Sequence, residues 1–497
     1  MNAIQLTIMH LPKFVPNVQR AAALLALGAG ALLAGCAVGP RYQAPHADVP
    51  AKWSTQAGAT AAQPDLHQWW LRLNDPLLNA LVDEAVRGNL DVATAAARIR
   101  EARAFANQSD SARYPSLNGT AAYTRAGAGP NAIAGLSSTP ESGTASPGSP
   151  THLFQAGFDA SWEIDLFGAR QHAFEAAREG LDAAQWDLRS TLLTLIGDVT
   201  TRYVEARGYQ ARLALARATA HSQEETARLA RVRYTAGSTS GLDVANSAGE
   251  AQATLAEIPA LEAAYAQAVH SLSVLTGKPP RALLARMQQT QDVPTPPLPV
   301  ALGVPADALL SRPDVRSAER RYAQSTARVG EAQANRYPRV TLVGSLGTSG
   351  TQFGDLARHS SIGWSIGPSV TIPLFDAGRL KAAAEIADAQ RDQSFIAYHA
   401  AVLAALQDVE NASVTLSRET ERAEGLQHAA DSYSEASTIA NALYRSGSTS
   451  YLDLLIAERA LFAAQDALIQ SRVRIATDYI ALNKALGGGW DGPIAPD

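Results

Sequence analysis

Three groups of residues in this chain have types and spacing that invite chemistry. Gly237-Ser238-Thr239-Ser240-Gly241 has the glycine spacing of a nucleophile elbow, a turn that presents a hydroxyl for acyl transfer. Its central residue is Thr239, however, and the pattern before it is helical where an elbow needs a strand. Ten histidines offer metal ligands or a general base, yet none stands in a His-Glu-x-x-His arrangement or in a paired spacing with carboxylates. There is no Gly-x-x-x-x-Gly-Lys loop to cradle a phosphate. These residues argue against an enzyme and imply no cofactor and no metal site. The third group is a single residue, Cys36, the one cysteine among 497 residues. It excludes an intramolecular disulfide and a cysteine-rich metal cluster.

The residues around Cys36 define what its thiol does. Lys13 and Arg20 precede an Ala- and Leu-rich run from Ala21 to Ala34, and Leu33-Ala34-Gly35 stand directly before the cysteine. A basic region, a short apolar region and small residues at the boundary make an export signal, too short to remain as a membrane-spanning helix. Residues 1–35 are read as that signal. Leu-Ala-Gly-Cys resembles the lipobox of bacterial lipoproteins, in which the thiol is acylated and the cysteine becomes the mature N-terminus. Ala37, rather than aspartate, follows it, which in those proteins implies release to the outer membrane. The mature chain keeps 40 basic residues against 47 acidic ones, a net charge of −7. Without a strongly basic block, a nucleic-acid partner is a poor fit.

The sequence is a tandem duplication. Ala112-Arg113-Tyr114-Pro115 returns as Asn335-Arg336-Tyr337-Pro338, Leu166-Phe167-Gly168 as Leu374-Phe375-Asp376, and Tyr234 to Asp243 as Tyr444 to Asp453. The offsets are 223, 208 and 210, so the second copy has the shorter internal loop. A proline-rich stretch, Pro279-Pro280 through Pro305, separates the copies and forbids a long helix there.

Each copy alternates between two periods. Phe154, Ala156, Phe158, Ala160, Trp162, Ile164 and Leu166 form one face of a period-two segment, with Gln155, Gly157, Asp159, Ser161, Glu163 and Asp165 on the other. Its counterpart sets Ile362, Trp364, Ile366, Val370, Ile372 and Leu374 against Ser361, Gly363, Ser365, Gly367, Ser369 and Thr371. Weaker strands precede them, with Leu117, Ala121 and Tyr123, and with Val340, Leu342 and Leu346. The joining loops are unequal: Ala126 to Pro150 is rich in Gly, Ser, Pro and Thr, and Gly350 to His359 is shorter. Elsewhere the period is helical. No proline interrupts Ala169 to Thr235, which as a helix spans about 100 Å. Phe395, Tyr398, Val402, Ala405, Val409, Ala412 and Leu416 follow the three-and-four spacing of a coiled-coil seam.

Strands with one apolar and one polar face, about ten residues long, suit a membrane barrel. Open sheet edges are not tolerated in hydrocarbon, and four strands are too few to close. The wall must be shared between chains. Three chains give twelve strands; counting alone also admits two or four. The polar face then lines water, and the face of Trp162 and Trp364 meets outer-membrane lipid.

At this point the sequence resembles the TolC-like outer-membrane efflux channels, in the drug-efflux lipoprotein branch of the NodT and OprM type. The resemblance is carried by Cys36 with Gly39-Pro40, Tyr42 and Pro45; by Trp69-Trp70 and Asp75-Pro76-Leu77; by both Tyr-Pro junctions; by Leu374 to Gly378; by Leu454-Leu455; and by Ala485 to Trp490. It implies a mainly α fold with a membrane β-barrel: a homotrimer with a twelve-stranded barrel and a duplicated coiled-coil tunnel through the periplasm. It further implies a tip that docks a periplasmic membrane-fusion adaptor of an inner-membrane pump of the RND type. The expected layout is a signal at 1–35, a lipid-anchored segment at 36–75, repeats at 76–278 and 312–490, a connector at 279–311 and a tail at 491–497. The hairpins fall at 113–167 and 337–375, and the tip turns at 237–241 and 447–451.

The tip turns are the candidate site. Ser240 to Asp243 and Ser450 to Asp453 have capping-box spacing, and each follows a glycine suited to ending a helix. Such caps alone explain the hydroxyls. The resemblance adds adaptor contact by Gly237, Ser238, Thr239, Leu242 and Asp243, and by Gly447, Ser448, Thr449, Leu452 and Asp453. It also adds a periplasmic gate at Leu452, Asp453, Ile456 and Tyr444. Ile456 occupies the place of the family's usual gate aspartate, so either Asp453 supplies an acidic ring or the constriction is apolar. Alternatives are a type I secretion channel, a metal-efflux channel, or a passive periplasmic helical lipoprotein, which would lack the amphipathic hairpins. A copper exporter would favour methionine along its route, and only Met287 survives processing.

Overall fold

The computed structural model describes residues 38–46, 49–54, 66–127, 150–303, 305, 308–309 and 312–489. Cys36, the 1–35 signal, most of the 126–150 loop, Trp490 and the 491–497 tail lie outside the described residues.

Both halves of the sequence fold as the same series. The first gives α1 (Pro76–Gly88), α2 (Leu90–Ser111), β1 (Ser116–Ala126), β2 (Thr151–Ile164), α3 (Ala169–Thr235) and α4 (Gly241–Leu275). The second gives α5 (Pro313–Ala334), β3 (Arg339–Gly350), β4 (Ile362–Thr371), α6 (Arg379–Ser446) and α7 (Tyr451–Ala485). Helices α2 and α5 have 22 residues each, α4 and α7 35 each, and α3 and α6 67 and 68. Each of the four longest helices stops at a glycine with positive φ: Gly237 at 75°, Gly277 at 71°, Gly447 at 78° and Gly487 at 84°. A side chain there would meet the following carbonyl, a cost of about 1–2 kcal/mol that glycine escapes. At each stop the amides of the glycine and of the next residue return to carbonyls of the last turn. Gly237 donates to Tyr234 at 2.9 Å, for example, and Ser238 to Arg233 at 2.9 Å.

Two compact units form, and each draws on both repeats. The first holds the strands and the helix ends around them. The sheet is antiparallel in the order β1-β2-β3-β4, with β1 and β4 at open edges. One row across it reads Gly119, Phe158, Leu346, Trp364, and the next Asn118, Asp159, Ser345, Ser365. Side chains alternate between faces, so this register joins the four apolar stripes into one face and the polar stripes into the other. In a water-soluble domain a second layer would cover the apolar face. Here Phe158 is 57% exposed and Trp364 74%, and among the described residues no strand residue joins a buried hydrophobic cluster. The last strand stops at Thr371, although the alternation in sequence runs to Leu374. The 350–359 connection contains two short 3-10 turns, Phe353–Ala357 and His359–Ser361.

The second unit holds most of the helical length. Its core packs Trp69, Trp70, Leu78, Leu81, Ile196, Val199, Leu272, Tyr479, Ile480 and Leu486. The Trp69 indole donates to the Gly488 carbonyl at 3.3 Å, and a Cβ on Gly489 would lie 3.0 Å from that indole nitrogen. The tryptophan pair and the terminal glycines are thus two sides of one contact.

The connector is tied to this core by a buried polar network. Arg207, with no exposed surface, donates to the Tyr203 hydroxyl at 3.0 and 2.9 Å, to Gln210 at 2.7 Å, to the Gln289 carbonyl at 2.7 Å and to Gln291 at 3.0 Å. The Tyr203 hydroxyl donates to Asp75, which also caps α1 by accepting from Leu77 at 2.9 Å. A buried guanidinium is tolerable only because its donors are satisfied in this way.

Candidate functional site

The two tip turns are built alike. In each, a helix ends at a left-handed glycine, three hydroxyl residues follow, and the next helix starts at a capping box. Asp243 accepts from the Thr239 hydroxyl at 2.6 Å and from the Ser240 amide at 3.3 Å. Asp453 accepts from the Thr449 hydroxyl at 2.6 Å, the Ser450 hydroxyl at 2.7 Å and the Ser450 amide at 3.2 Å. These donors favour the ionised form. The Thr239 hydroxyl holds the Asp243 pKa below the usual carboxylate value, and the Thr449 hydroxyl, then Ser450, does so for Asp453.

Behind the second turn lies a small cluster of Tyr444, Tyr451, Leu454 and Leu455, with Leu229 and Ala440 against it. The tyrosine rings meet at 6.0 Å and 63°. Near the tip, side chains reach from one hairpin to the other. Arg233, at the end of α3, lies 4.5 Å over the Tyr444 ring and donates to the Arg445 carbonyl at 2.8 Å. Arg459 on α7 donates to Glu250 on α4 through Nε at 2.9 Å. Glu458, beside Arg459, is half-buried; burial, with Glu250 nearby, pushes its pKa up to about 7.

The candidate residues therefore separate into two environments. Tyr444 is only 3% exposed and is part of the packing. Leu242, Leu452 and Ile456 are 67%, 59% and 60% exposed. Leu452 and Ile456 stand one turn apart on the same face of α7, while Asp453 is rotated off it. Gly237, Ser238, Gly447 and Ser448 form the turns themselves. Arg233, Glu250, Glu458 and Arg459 escaped sequence reasoning, since each reads as an ordinary charge on a long helix. A signal did exist: Glu250 and Arg459 are 209 residues apart, one residue short of the offset between the turns.

A four-stranded sheet that leaves its apolar face exposed, in a chain otherwise made mostly of long helices, suits a membrane-embedded wall. Among the described residues no helix is long and apolar enough to cross a membrane. A family profile described as outer membrane efflux protein matches residues 81–278 and 304–488. Nodulation protein T of Rhizobium leguminosarum bv. trifolii is 34% identical over 470 residues, covering 93% of this chain and 96% of its own. Toluene efflux pump outer membrane protein TtgI of Pseudomonas putida is 31% identical, with 92% and 96% covered. The solved structure of the outer-membrane channel OprN superposes with a TM-score of 0.83 at 32% identity, covering 92% of this chain and all of that one. The chain belongs to the outer membrane efflux protein family. It is an efflux channel lipoprotein located in the outer membrane.

Proposed function

We propose that three copies of this chain close a twelve-stranded barrel and pass small organic solutes outward from an inner-membrane pump of the RND type. The polar strand face lines the lumen, and the helices carry the conduit into the periplasm. The observation that carries this reading is a four-stranded sheet with two open edges and an uncovered apolar face. Unpaired edges cost several kcal/mol per group in hydrocarbon, so β1 of one copy must pair with β4 of the next. The name of TtgI, a relative covered over nearly its whole length, supports an organic solute as cargo.

Transport itself involves no bond-making by this chain. A periplasmic adaptor engages the turns at 237–241 and 447–451, including Leu242, Asp243, Leu452 and Asp453. Leu452 and Ile456 form an apolar constriction, with the ionised Asp453 beside it. Dilation must break the contacts that cross between hairpins, Arg459 to Glu250 and Arg233 to the Arg445 carbonyl. Opening then requires an adaptor that binds the dilated tip better than the closed one. Residues 36–75 serve as the anchored leader and 279–311 as the belt between repeats.

Deleting the gene alone and together with each candidate pump gene, then comparing susceptibility profiles, tests the assignment. Identical profiles for the single and one double deletion identify the pump. Additive profiles for every pair contradict a shared route.

A further inference from the structure

We propose that the β3–β4 connection is a membrane clip: it folds over the lipid-facing side of the sheet, sets Phe353 into the outer leaflet, and leaves Arg125 and Arg358 to take the phosphates of glycolipid headgroups there. The proposal rests on the reading of the sheet as membrane-embedded with its hairpin loops outward.

Register fixes the side on which the connection lies. Gly350 pairs with Phe154, so both positions share the face that carries Phe158 and Trp364. A Cβ on Gly350 would collide with the Asp355 side chain, lying 3.0 Å from its carboxyl carbon. The Phe353 ring meets the Phe154 ring edge to face, with centroids 5.9 Å apart and planes at 81°. Two separate contacts therefore put the Phe353–Ala357 turn on the apolar face of the sheet.

The turn is built to hold that position. Asp355 accepts from the Gln352 amide at 2.9 Å and pairs with Arg358 at 3.1 Å, while the Arg358 amide donates to the Asp355 carbonyl at 3.0 Å. Phe154 is half-buried, whereas Phe158 further down the same stripe is open. Phe353 itself stays 74% exposed, so it touches Phe154 at one edge and offers the rest of its ring outward. An apolar ring carried by a polar turn on a lipid-facing strand suits the boundary between headgroups and acyl chains, where barrels keep their aromatics.

The height of the stripe agrees. From Trp162 to Phe154 the strand runs about 27 Å at ~3.4 Å per residue, which at a barrel tilt covers about 20 Å of a ~25 Å apolar band. Tyr123 and Phe154, with ring centroids 4.8 Å apart, close that band. One step beyond, on the same face, Arg125 stands opposite His152. An arginine in a lipid-facing stripe is tolerable at the edge of the band, where an anion meets it. Among the described residues of 124–127, 150–152 and 351–361, Asp355 is the one acid, and Arg358 already pairs with it. The rim is therefore cationic above and apolar below, the complement of a phosphorylated glycolipid in the outer leaflet.

Two measurements on the full-length protein test the two parts. In a Cys36→Ser background, which has no other cysteine, a nitroxide on Phe353→Cys in lipid discs is expected to collide more with oxygen than with a water-soluble nickel chelate. A nitroxide on Phe158→Cys reports the underlying reading separately. Nickel preference at position 158 contradicts membrane embedding, whereas oxygen preference at 158 with nickel preference at 353 overturns the clip alone. Native mass spectrometry follows lipid retained after release from discs holding equal amounts of lipid A and phosphatidylglycerol. The parent is expected to keep lipid A preferentially, and Arg125→Gln combined with Arg358→Gln to lower that retention about tenfold, the scale of one charge-assisted hydrogen bond. Equal retention of the two lipids, or retention unchanged in the double variant, would overturn the headgroup assignment.

Discussion

At the scale of single residues the molecule separates side chains that hold the structure from side chains offered to partners. Arg207 belongs to the first kind. Truncating one member of a buried, fully hydrogen-bonded set leaves the others unpaired, so Arg207→Ala is expected to cost about 3–5 kcal/mol, read as lowered thermal stability of the extracted protein. Leu452, 59% exposed, is proposed to be of the second kind. Because it is exposed at the tip, Leu452→Ala should leave stability unchanged and raise the vancomycin sensitivity of cells; unchanged permeability would remove Leu452 from the gate. The two roles were not equally visible in the sequence. Leu452 sits in a repeated, glycine-marked turn, which drew attention to it. Arg207 looks like any arginine on a long helix, because its burial depends on Gln289 and Gln291 in a connector with no pattern of its own.

At the scale of elements, the tip hairpins combine caps and charges with opposite pH behaviour. Removing the hydroxyl of the cap, as in Ser450→Ala, should cost about 0.5–2 kcal/mol of local stability, measured as faster hydrogen exchange at the start of α7. Asp453 has a lowered pKa, so its contribution is present above the unfolded value and is lost only as the pH falls through its own, lower value. Glu458 works the other way. Its folded-state pKa of about 7 lies above the ordinary value of 4.5, so the folded tip holds a proton that the unfolded chain has released. Stability of the tip therefore falls as the pH rises from about 4.5 towards about 7, and stays lower above that. Protection factors in residues 451–460, from which the base-catalysed intrinsic rate is divided out, should be lower at pH 8 than at pH 5.5, and Glu458→Gln should flatten that difference. The same slope in the variant would assign the effect elsewhere. Most of these elements were legible beforehand: the proline-free run from Ala169 to Thr235 is one helix, and the period-two runs are strands in the expected facing. The contacts crossing between hairpins were not, since Arg459 and Glu250 become neighbours only when two distant copies of one pattern pack together.

At the scale of the whole molecule, the proposal makes one chain an incomplete wall. Its sheet ends in two unpaired edges, its apolar face lacks a covering layer, and its duplicated helices repeat the same lengths twice. The proposed closed assembly in lipid accounts for these features together, and for the lack of a hydrophobic helix of membrane-spanning length among the described residues. The anchor is secondary in this account: Cys36→Ser should remain detergent-dependent for extraction, because the barrel alone holds the protein in the membrane. Release of that variant into the soluble fraction would contradict membrane embedding by the strands. The most direct test of the central claim is native mass spectrometry of the channel extracted in mild detergent, coupled to imaging in lipid discs. The account predicts three copies and twelve continuous strands around one lumen; single copies that still support export, or hairpins lying free in water, would contradict it.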